Sequence, residues 1–411
     1  MHKIKNYLRI IIAYFYLLYY GFPQRKLKII GVTGTDGKTT TANFLYQLLS
    51  HKGYKVGLIS TINAKIGDKE IDTGFHVTSP DPQVVIKLLN QMVQENVEYA
   101  ILEVTSHGLF QNRFAGIYFD YGVITNITSD HLDYHKTYDN YLNAKAKLIL
   151  KSTLTFINKD DKLSFKQLKQ IAFKNYKEVK VYSLKYLPVE YQTLLRKVLK
   201  NNYPGIYNQQ NALAALTVFA RIEVKEISKN DIFLLKDLKP LIGRFNKIDN
   251  KFGINIIIDF AHTPNALFHI LSEINNLRNN NEKIISVFGC AGVRDVSKRF
   301  VMGEIAGKFA DMVIVTAEDP RTEKISDINK QIVSGVKNVH GKYEVEENRQ
   351  KAVNKAISIA KLGDWVVITG KGHEKSMCFG TTETPWSDFQ AVEKALHHPR
   401  GDTNITSGVM L

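Results

Sequence analysis

The stretch LKIIGVTGTDGKTT at residues 27–40 determines how the rest of the chain is interpreted. Residues 27–32 form a short apolar run typical of a strand. Residues 33–38 form a Gly-rich loop, and residues 39–51 carry apolar side chains at helical spacing. A strand, a Gly-rich loop and a helix in this order are the setting of a phosphate-binding loop. Val32 stands where the common form of that loop has glycine, but the flanking strand and helix favour a phosphate loop over a chance turn.

Two side chains of this loop carry specific chemistry. Lys38 is expected to reach the β- and γ-phosphates of a bound nucleotide, and the Thr39 hydroxyl is expected to ligate Mg²⁺. Backbone N–H groups of the loop surround phosphate oxygens, and the positive end of the following helix attracts them. The residues predicted to bind the nucleotide here are Gly34, Thr35, Asp36, Gly37, Lys38, Thr39 and Thr40.

Beyond the loop, predicted strands alternate with predicted helices to the end of the chain. This alternation is typical of a mostly parallel sheet with helices on both faces. The sequence therefore predicts an α/β fold, in which a central P-loop domain with a mostly parallel sheet precedes a smaller Rossmann-like α/β domain. The predicted strands after the loop lie at residues 54–59, 99–104, 121–127, 254–260, 283–289, 312–317 and 364–369.

Changes in composition along the chain place the domain boundaries. The stretch 151–205 is lysine-rich and is expected to be less regular than its surroundings. The predicted segments are an apolar and aromatic N-terminal segment at 1–26, a nucleotide-binding domain at 27–240, a Rossmann-like domain at 241–396 and a disordered tail at 397–411.

The composition limits the class of protein. A length of 411 residues suits two or three domains, and 44% hydrophobic with 23% charged residues is typical of a soluble globular protein. The two cysteines, Cys290 and Cys378, indicate a reducing compartment. The net charge of +15 fits an anionic substrate, an acidic membrane surface or a solvated lysine-rich surface. Because the lysines are spread along the chain, nucleic acid is not expected as a partner.

The apolar run IIIAYFYLLYY at residues 10–20 stands apart from the rest. It is shorter than the roughly 20 residues that cross a bilayer, and no signal-peptide cleavage site follows it. Aromatic residues with basic flanks are typical of a segment in peripheral contact with a membrane. The alternative is a helix packed on the body of the protein.

Further segments, in chain order, resemble the motifs of the UDP-N-acetylmuramoyl-tripeptide synthetases of the Mur ligase superfamily. The resemblance covers about residues 27–396, and so many segments in one order are more specific than the loop alone. The segments are EVTSHGL at 103–109 with Gln111 and Arg113, TNITSDHLDYH at 125–135, YLNAK at 141–145, GIYNQQN at 205–211, Gly243 with Arg244, DFAHTP at 259–264, FGCAGVRD at 288–295, EDPR at 318–321 and GKGHE at 370–374.

The resemblance implies ATP and two Mg²⁺ ions. Glu103 ends a predicted apolar strand, where a carboxylate can hold Mg²⁺ beside the nucleotide together with Thr39. The residues matching His131 and Lys145 serve the second magnesium, and Lys145 is implied to be carbamylated. On the residues alone, His131 is as well explained as a structural loop histidine, and Lys145 as a solvated helix charge.

The resemblance also assigns the nucleotide contacts further along the chain. Arg244 is implied to reach the ATP phosphates, for which a guanidinium is well suited. Asp259 and His262 are implied to lie near the nucleotide, and Asn211 near the adenine. The residues implied to be catalytic are Lys38, His131, Lys145 and Arg244.

Two groups of residues match the substrate contacts of the family. The acceptor is implied to be UDP-N-acetylmuramoyl-L-alanyl-D-glutamate, bound by Thr78, Thr105, Gln111 and Arg113. The segment EDPR departs from the DNPR of diaminopimelate-adding members but keeps the Pro-Arg pair. This favours meso-diaminopimelate and leaves L-lysine open. The amino acid is implied to be bound by Arg294, Glu318, Asp319, Arg321, Gly370 and Glu374.

The implied activity is an ATP-dependent ligase that forms an amide bond through an acyl phosphate, in the synthesis of peptidoglycan precursors. A cytoplasmic monomer with small-molecule substrates is expected, with peripheral contact at the inner face of the membrane through residues 10–20. The alternatives are a folylpolyglutamate- or cyanophycin-type ligase of the same superfamily, and a P-loop protein that binds nucleotide without catalysis.

Two further features depart from the family pattern. About 26 residues precede the first predicted strand, whereas the resemblance implies a preceding domain that binds the uridine nucleotide. Asn246 also stands where the family has an acidic residue. The chain is therefore expected to lack the usual N-terminal UDP-binding domain.

Overall fold

An eight-stranded sheet forms the centre of the first of two compact units, into which the chain divides at residues 1–239 and 240–411. The computed structural model describes residues 2–67, 69–71 and 79–397. Thr78, predicted to contact substrate, lies outside the described residues, as does the predicted disordered tail apart from His397.

The sheet of the first unit has the order β4-β3-β2-β5-β1-β6-β7-β8. The six strands from β2 to β8 in that order are parallel, whereas β3 and β4 add an antiparallel edge. The strands are β1 Lys28–Thr33, β2 Val56–Ile59, β3 Ala64–Ile66, β4 Lys69–Ile71, β5 Tyr99–Glu103, β6 Phe119–Ile124, β7 Ser152–Asn158 and β8 Glu178–Tyr182.

Helices connect these strands and cover the sheet, as parallel strands require. Two short 3₁₀ helices, Pro23–Arg25 and Leu235–Asp237, complete the unit. The α-helices are α1 His2–Tyr19, α2 Lys38–His51, α3 Pro82–Gln94, α4 Ser106–Phe110, α5 Leu132–His135, α6 Tyr138–Leu150, α7 Lys162–Lys174, α8 Val189–Leu199, α9 Ile206–Ile222 and α10 Lys229–Leu234.

Strand β1 is central because both of its faces are covered. Its residues from Ile29 to Thr33 are buried. Gly31 is required at its midpoint, since a Cβ there would come within 2.9 Å of Phe119 and Leu148 side-chain atoms. This packing fixes the strand that leads directly into the phosphate loop.

The second unit contains a six-stranded sheet of order β13-β12-β11-β14-β10-β9 and a separate hairpin of β15 and β16. All pairs in the larger sheet are parallel except β9 with β10. The strands are β9 Asn246–Ile248, β10 Asn255–Asp259, β11 Ile284–Phe288, β12 Met312–Val315, β13 Tyr343–Val345, β14 Trp365–Thr369, β15 Ser376–Phe379 and β16 Thr382–Pro385. The helices are α11 Pro264–Leu277, α12 Ser297–Phe309, α13 Ile325–Asn338, α14 Arg349–Ile359 and α15 Asp388–His397.

The predicted fold class is confirmed, since both units are α/β with mostly parallel sheets. The expectation for the stretch 151–205 was wrong, because β7, α7, β8 and α8 occupy most of it. The lysines concealed the pattern: most of them lie on exposed positions, while apolar side chains such as Leu154, Leu168 and Leu195 are buried. The region therefore extends the sheet by two parallel strands.

The apolar segment at residues 10–20 belongs to helix α1. One side of this helix packs on the first unit, where Ala13 and Leu17 form a buried cluster with Ile86 and Ala115. Among the described residues, no helix is both long enough and apolar enough to cross a membrane. The side of α1 that carries Ala13 and Leu17 therefore agrees with the alternative, a helix packed on the body of the protein.

Candidate active site

The predicted phosphate loop connects the carboxyl end of β1 to the first turn of α2. Gly37 has φ 81°, a left-handed conformation that glycine adopts without strain, and it immediately precedes the helix. A Cβ at Gly37 would also overlap the side chain of Asn211, which approaches from helix α9. The sheet and α9 thus hold the loop in place, and Asn211 lies directly against it.

Lys38 lies over its own loop. Its Nζ donates hydrogen bonds to the carbonyl oxygens of Gly34 at 3.2 Å and Thr35 at 2.8 Å. Neighbouring backbone is anchored to the loop after β6, because Asn126 accepts from the N–H groups of Thr35 and Asp36. The loop is therefore preorganised, with its lysine at the position where phosphate oxygens would compete for the ammonium group.

Thr39, in the first turn of α2, contacts Glu103, the last residue of β5. The Thr39 hydroxyl donates to the two carboxylate oxygens of Glu103 at 3.0 and 3.1 Å. Glu103 is buried, and its Oε2 also accepts from the N–H of Thr61 at 3.0 Å. A hydroxyl and a carboxylate side by side present the hard oxygen atoms that Mg²⁺ prefers.

The donor set fits a magnesium ion that arrives with a nucleotide. Within residues 2–67, 69–71 and 79–397, no group of three or more His, Cys, Asp or Glu side chains could hold a metal by itself. Mg²⁺ usually takes only one or two protein ligands in nucleotide sites and completes its shell with phosphate oxygens and water. Thr39 and Glu103 can supply those protein ligands.

Lys145 is buried beneath the loop, contrary to the ordinary expectation for a helix lysine. Its Nζ donates to the Gly34 carbonyl oxygen at 2.5 Å and lies 4.7 Å from the centre of the Tyr141 ring. Burial, reinforced by the charge of Lys38, lowers the pKa of Lys145 well below its ordinary value. The amine is therefore more readily uncharged than a surface lysine, and an uncharged amine is a nucleophile.

His131 also lies near Tyr141. The two rings are 6.1 Å apart, and His131 Nε2 is 3.4 Å from the Asp130 carboxylate. The Tyr141 hydroxyl is 3.1 Å from the Thr35 hydroxyl. Tyr141 thus contacts both residues of the predicted second metal site as well as the loop, a role that its place in the sequence did not reveal.

His135 is a buried histidine of the same cluster that the sequence did not single out for a role. Its Nε2 is 3.1 Å from the hydroxyl of Ser106, at the start of α4. Burial, together with His107 and Lys145, lowers the pKa of His135 to about 4. The ring is therefore neutral at physiological pH and joins α4 to α5 without adding charge.

Three of the four residues predicted to bind the acceptor form one hydrogen-bonded group, and the fourth, Thr78, lies outside the described residues. Arg113 donates from Nε and Nη2 to Gln111 Oε1 at 3.0 and 2.8 Å, and from Nη1 to the Ser79 carbonyl oxygen. The Thr105 hydroxyl donates to the Ser79 hydroxyl at 2.9 Å, and Gln111 donates to Tyr134 at 3.0 Å. Ser79, adjacent to Thr78, is a member that the sequence did not identify.

Helix α1 reaches the acceptor group through Asp81. Arg9 donates from Nε to Asp81 Oδ1 at 3.0 Å, and Arg113 Nε lies 3.7 Å from the same oxygen. Asp81 therefore joins two arginines, one on α1 and one among the predicted substrate contacts. Nothing in the sequence indicated this link, because 72 positions separate Arg9 from Asp81.

In the second unit, Arg244 and His262 flank one aromatic ring. The Arg244 guanidinium lies 4.9 Å from the centre of the Phe260 ring, and the His262 ring lies 4.5 Å from it. Asp259 ends β10 and accepts from the N–H of Phe245 at 2.7 Å. Asp259 thus holds the turn that carries Arg244, and all three predicted nucleotide contacts of this unit lie at one sheet edge.

Asp319 and Glu374 share a buried lysine. The Lys371 Nζ is 2.8 Å from Asp319 and 2.5 Å from Glu374. Burial opposes the charge of Lys371, but the carboxylates of Glu374 and Asp319 raise its pKa above the ordinary value. The two predicted amino-acid contacts are therefore both engaged by a residue that the sequence did not identify.

Glu318 is the least solvated carboxyl group of this cluster. Burial raises its pKa from 4.5 to about 7, against the opposing charges of Lys298 and Lys371. Its Oε2 is buried and has no hydrogen-bond partner among the residues that the structure describes. A Cβ at Gly370 would lie 2.9 Å from that oxygen, so glycine leaves room beside it.

Arg294 and Arg321 follow the adjacent parallel strands β11 and β12. Arg294 is exposed in its loop. Arg321 has φ 51° and is fixed by its N–H, which donates to the Cys378 carbonyl oxygen at 3.0 Å, while Nη1 donates to Gly292 at 3.3 Å. Both arginines thus lie at the carboxyl edge, where α/β sheets bind ligands.

Two family models of known proteins match the chain, one in each of its two units. A family model of the Mur ligase middle domain matches residues 32–219, and a model of the Mur ligase glutamate ligase domain matches residues 243–372. The UDP-N-acetylmuramoyl-L-alanyl-D-glutamate–2,6-diaminopimelate ligase 1 of Clostridium acetobutylicum is 37% identical over 392 residues. That alignment covers 92% of this chain and 79% of the relative.

Solved structures give the same relationship. A structure of UDP-N-acetylmuramoyl-L-alanyl-D-glutamate–2,6-diaminopimelate ligase superposes with a TM-score of 0.56 at 27% identity, covering 91% of this chain and 79% of that one. The Mycobacterium tuberculosis folylpolyglutamate synthase complexed with ADP and AMPPCP superposes with a TM-score of 0.66 over 88% of this chain and 92% of that one. Its identity of 17% shows a shared fold only.

Proposed function

Because the chain belongs to the Mur ligase family, whose members are ATP-dependent amide-bond-forming ligases, we propose that it adds meso-diaminopimelate to UDP-N-acetylmuramoyl-L-alanyl-D-glutamate. L-lysine is the alternative amino acid. The observation that carries the proposal is the phosphate loop, in which Lys38 lies over the backbone and Thr39 bonds Glu103. The product is a precursor of peptidoglycan.

The proposed reaction has two steps. A carboxylate oxygen of the acceptor attacks the γ-phosphorus of ATP, and the bond between that phosphorus and the oxygen that bridges it to the β-phosphate breaks. ADP departs, and the acceptor now carries an acyl phosphate. The uncharged amine of the diamino acid then attacks the acyl carbon, and inorganic phosphate leaves as the amide forms and a proton is released. Loop N–H groups and Lys38 bind the phosphates and stabilise the charge on the transferred group.

Magnesium is proposed at two positions. Thr39 and Glu103 would hold one ion, and His131 with a carbamylated Lys145 would hold the other. Bound Mg²⁺ would neutralise phosphate charge and polarise the transferred phosphoryl group. Carbamylation joins the uncharged amine of Lys145 to carbon dioxide, with loss of one proton, and it converts the amine into an anionic oxygen ligand. The buried, pKa-lowered amine supports this modification.

Four further residues are proposed to contact the nucleotide. Arg244 would contact the phosphates, Asp259 and His262 would lie near the nucleotide, and Asn211 would lie near the adenine. Phe260 positions both Arg244 and His262 by ring contact, which supports their joint role.

The acceptor is proposed to bind through Thr78, Thr105, Gln111 and Arg113. A guanidinium can bind a carboxylate through two parallel hydrogen bonds. Arg113 is held by Gln111, Ser79 and Asp81, so that its position is fixed before substrate arrives. Preorganisation of this kind lowers the entropic cost of binding.

The diamino acid is proposed to bind at the carboxyl edge of the second sheet. Arg294 and Arg321 would bind carboxylates, and the second carboxylate of meso-diaminopimelate would distinguish it from L-lysine at Arg321. Gly370 would admit the amino acid beside Glu318. Asp319 and Glu374 would accept hydrogen bonds from the ammonium group, and Lys371, which they already share, would hold the two carboxylates in position.

The cytoplasm is the proposed setting, because ATP and a UDP-linked precursor are the proposed substrates. Small molecules are the proposed partners, and a monomer is the proposed working state. Peripheral contact of residues 10–20 with the inner face of the membrane is part of this proposal.

A phosphate-release assay with a panel of acceptors and amino acids tests the proposal. Release is expected only when ATP, the UDP-muramoyl dipeptide and meso-diaminopimelate are all present, with a UDP-muramoyl tripeptide detected by mass spectrometry. Lys38→Ala is expected to reduce turnover at least about 100-fold. Lys87→Ala, on the exposed side of α3, is the matched control. Release with a folate or cyanophycin-type acceptor would assign another ligase of the superfamily, and nucleotide binding without release would exclude catalysis.

A further inference from the structure

Helix α1 presents an apolar stripe to solvent. Its large side chains recur at helical spacing on the outward face, and each is at least half exposed. Isolated exposed apolar residues are ordinary on a protein surface, but a contiguous stripe marks a surface that binds something. The stripe consists of Tyr7, Ile11, Tyr14, Phe15, Leu18 and Tyr19.

The opposite face of α1 fixes the direction of the stripe. Ala13 and Leu17 are fully buried against the first unit, and Arg9 is tied to Asp81. Gln24, just after the helix, donates to the Gly116 carbonyl oxygen at 3.3 Å. The helix therefore lies along its unit, and the stripe from Tyr7 to Tyr19 faces outward over about 18 Å, at a rise of about 1.5 Å per residue.

The charges that the N-terminal segment itself carries have one sign. The first 35 residues contain six Lys or Arg and no Asp or Glu. Lys5, Arg25 and Lys26 are exposed at the two ends of the helix. A surface that binds here must therefore be apolar along its middle and negatively charged at its margins.

We propose that the outward face of α1 lies in the headgroup layer of an anionic lipid bilayer. This inference deepens the peripheral contact of the proposed function, on which it rests for the location at the inner face of the membrane, and it names anionic headgroups as the partner. Tyrosine rings are amphipathic and favour the interface, apolar side chains enter the acyl boundary, and basic residues are attracted to anionic lipid.

The charge pattern argues against a second copy of the chain on this face. A symmetric dimer would place the stripe against itself and bring the basic ends of two helices close together, where like charges repel. An anionic bilayer satisfies both the apolar stripe and its basic margins.

The full chain is tested by co-sedimentation with vesicles of phosphatidylcholine alone and with vesicles that also contain phosphatidylglycerol. Binding is expected only to the anionic vesicles and is expected to fall as salt rises, because screening weakens the basic contacts. The double substitution Ile11→Glu with Phe15→Glu is expected to weaken binding at least about tenfold. Thermal unfolding of the variant should be unchanged, since both side chains are exposed.

The matched control is Phe173→Glu with Tyr176→Glu, which adds the same charge at two exposed aromatic positions near the end of α7. Equal binding to both kinds of vesicle, or equal loss in the two double variants, would overturn the proposal. A dimer in sedimentation equilibrium that only the α1 variant abolishes would assign the face to a second copy. Because vesicle binding needs no turnover, its outcome is separate from that of the ligase assay.

Discussion

Lys145 on helix α6 donates a 2.5 Å hydrogen bond from its Nζ to the carbonyl oxygen of Gly34, at the start of the phosphate loop. The bond joins a buried lysine to the backbone that would surround a nucleotide. The bond is compatible with the lowered pKa of Lys145, because a neutral amine still has N–H groups that donate to a carbonyl oxygen. Loss of the charge therefore does not break the contact with the loop. The proposed modification would replace this bond with a negatively charged group.

Lys145→Ala is the first prediction. Loss of the carbamate should lower turnover about 100-fold or more, because a ligand of the proposed second magnesium is removed. Added formate or acetate should restore part of the activity by supplying a carboxylate in the space left by the side chain. Lys147→Ala on the same helix is the control, with activity near that of the unchanged protein. Full activity of Lys145→Ala, together with no carbamate signal when the unchanged protein is labelled with ¹³C-bicarbonate, would exclude the modification.

Arg9→Ala tests the connection between α1 and the acceptor group. The Arg9–Asp81 pair is partly exposed, so its loss should cost about 0.2–1 kcal/mol. Because Asp81 also lies near Arg113, the expected result is a roughly two- to fivefold rise in the KM for the acceptor. The KM for ATP and kcat should change little. Arg25→Ala, which removes an arginine close to α1 but away from Asp81, is the control. A proportionate fall in kcat instead would show that Arg9 acts on folding or on chemistry.

Arg321→Ala tests the choice of amino acid. If Arg321 binds the second carboxylate of meso-diaminopimelate, kcat/KM for that substrate should fall by about 10- to 100-fold, the value of one charged hydrogen-bonded contact. The rate with L-lysine, which lacks that carboxylate, should change much less. Arg278→Ala, which removes a surface pair with Asp311, serves as the control. Equal losses with both amino acids would place Arg321 elsewhere in the site.

Glu318 gives a prediction for pH. Its pKa is about 7 in the folded protein against 4.5 in the reference state, so the folded state favours the protonated carboxyl. The stability that this gives is fully present below pH 4.5 and is lost as the pH rises towards 7 and above. Glu318→Gln should remove that dependence, which amounts to at most about 3 kcal/mol between pH 4.5 and 8. The measurement is the free energy of unfolding in urea at several pH values. If the free energy of unfolding changed with pH in the same way in the unchanged protein and in Glu318→Gln, the raised pKa would be contradicted.

The sequence predicted the features that depend on local order. The Gly-rich loop between a strand and a helix, and the mostly parallel strands, follow from the local succession of strand, loop and helix, and the structure has them where expected. The regularity of 151–205 was missed because lysines cover the exposed faces of its helices and strands. Because the stretch is rich in lysine, the alternation of buried and exposed positions is recognised only after each helix and strand has been located.

Other features depend on residues far apart in the chain. Lys145 sits between two alanines on α6, a context that does not distinguish a buried lysine from an exposed one, and only the family resemblance indicated its role. The contact of Lys371 with Asp319 joins residues 52 positions apart, and that of Arg9 with Asp81 joins residues 72 apart. Such pairs arise from tertiary packing, and periodicity in a single sequence carries no record of them.

The most direct test of the whole account is a crystal structure of the protein with a non-hydrolysable ATP analogue and Mg²⁺. The β- and γ-phosphates are expected to lie within the loop of residues 34–39, with Lys38 Nζ moved from the Thr35 carbonyl oxygen to phosphate oxygens and a magnesium ion beside Thr39 and Glu103. A nucleotide bound elsewhere, with Lys38 still on its own loop, would contradict it.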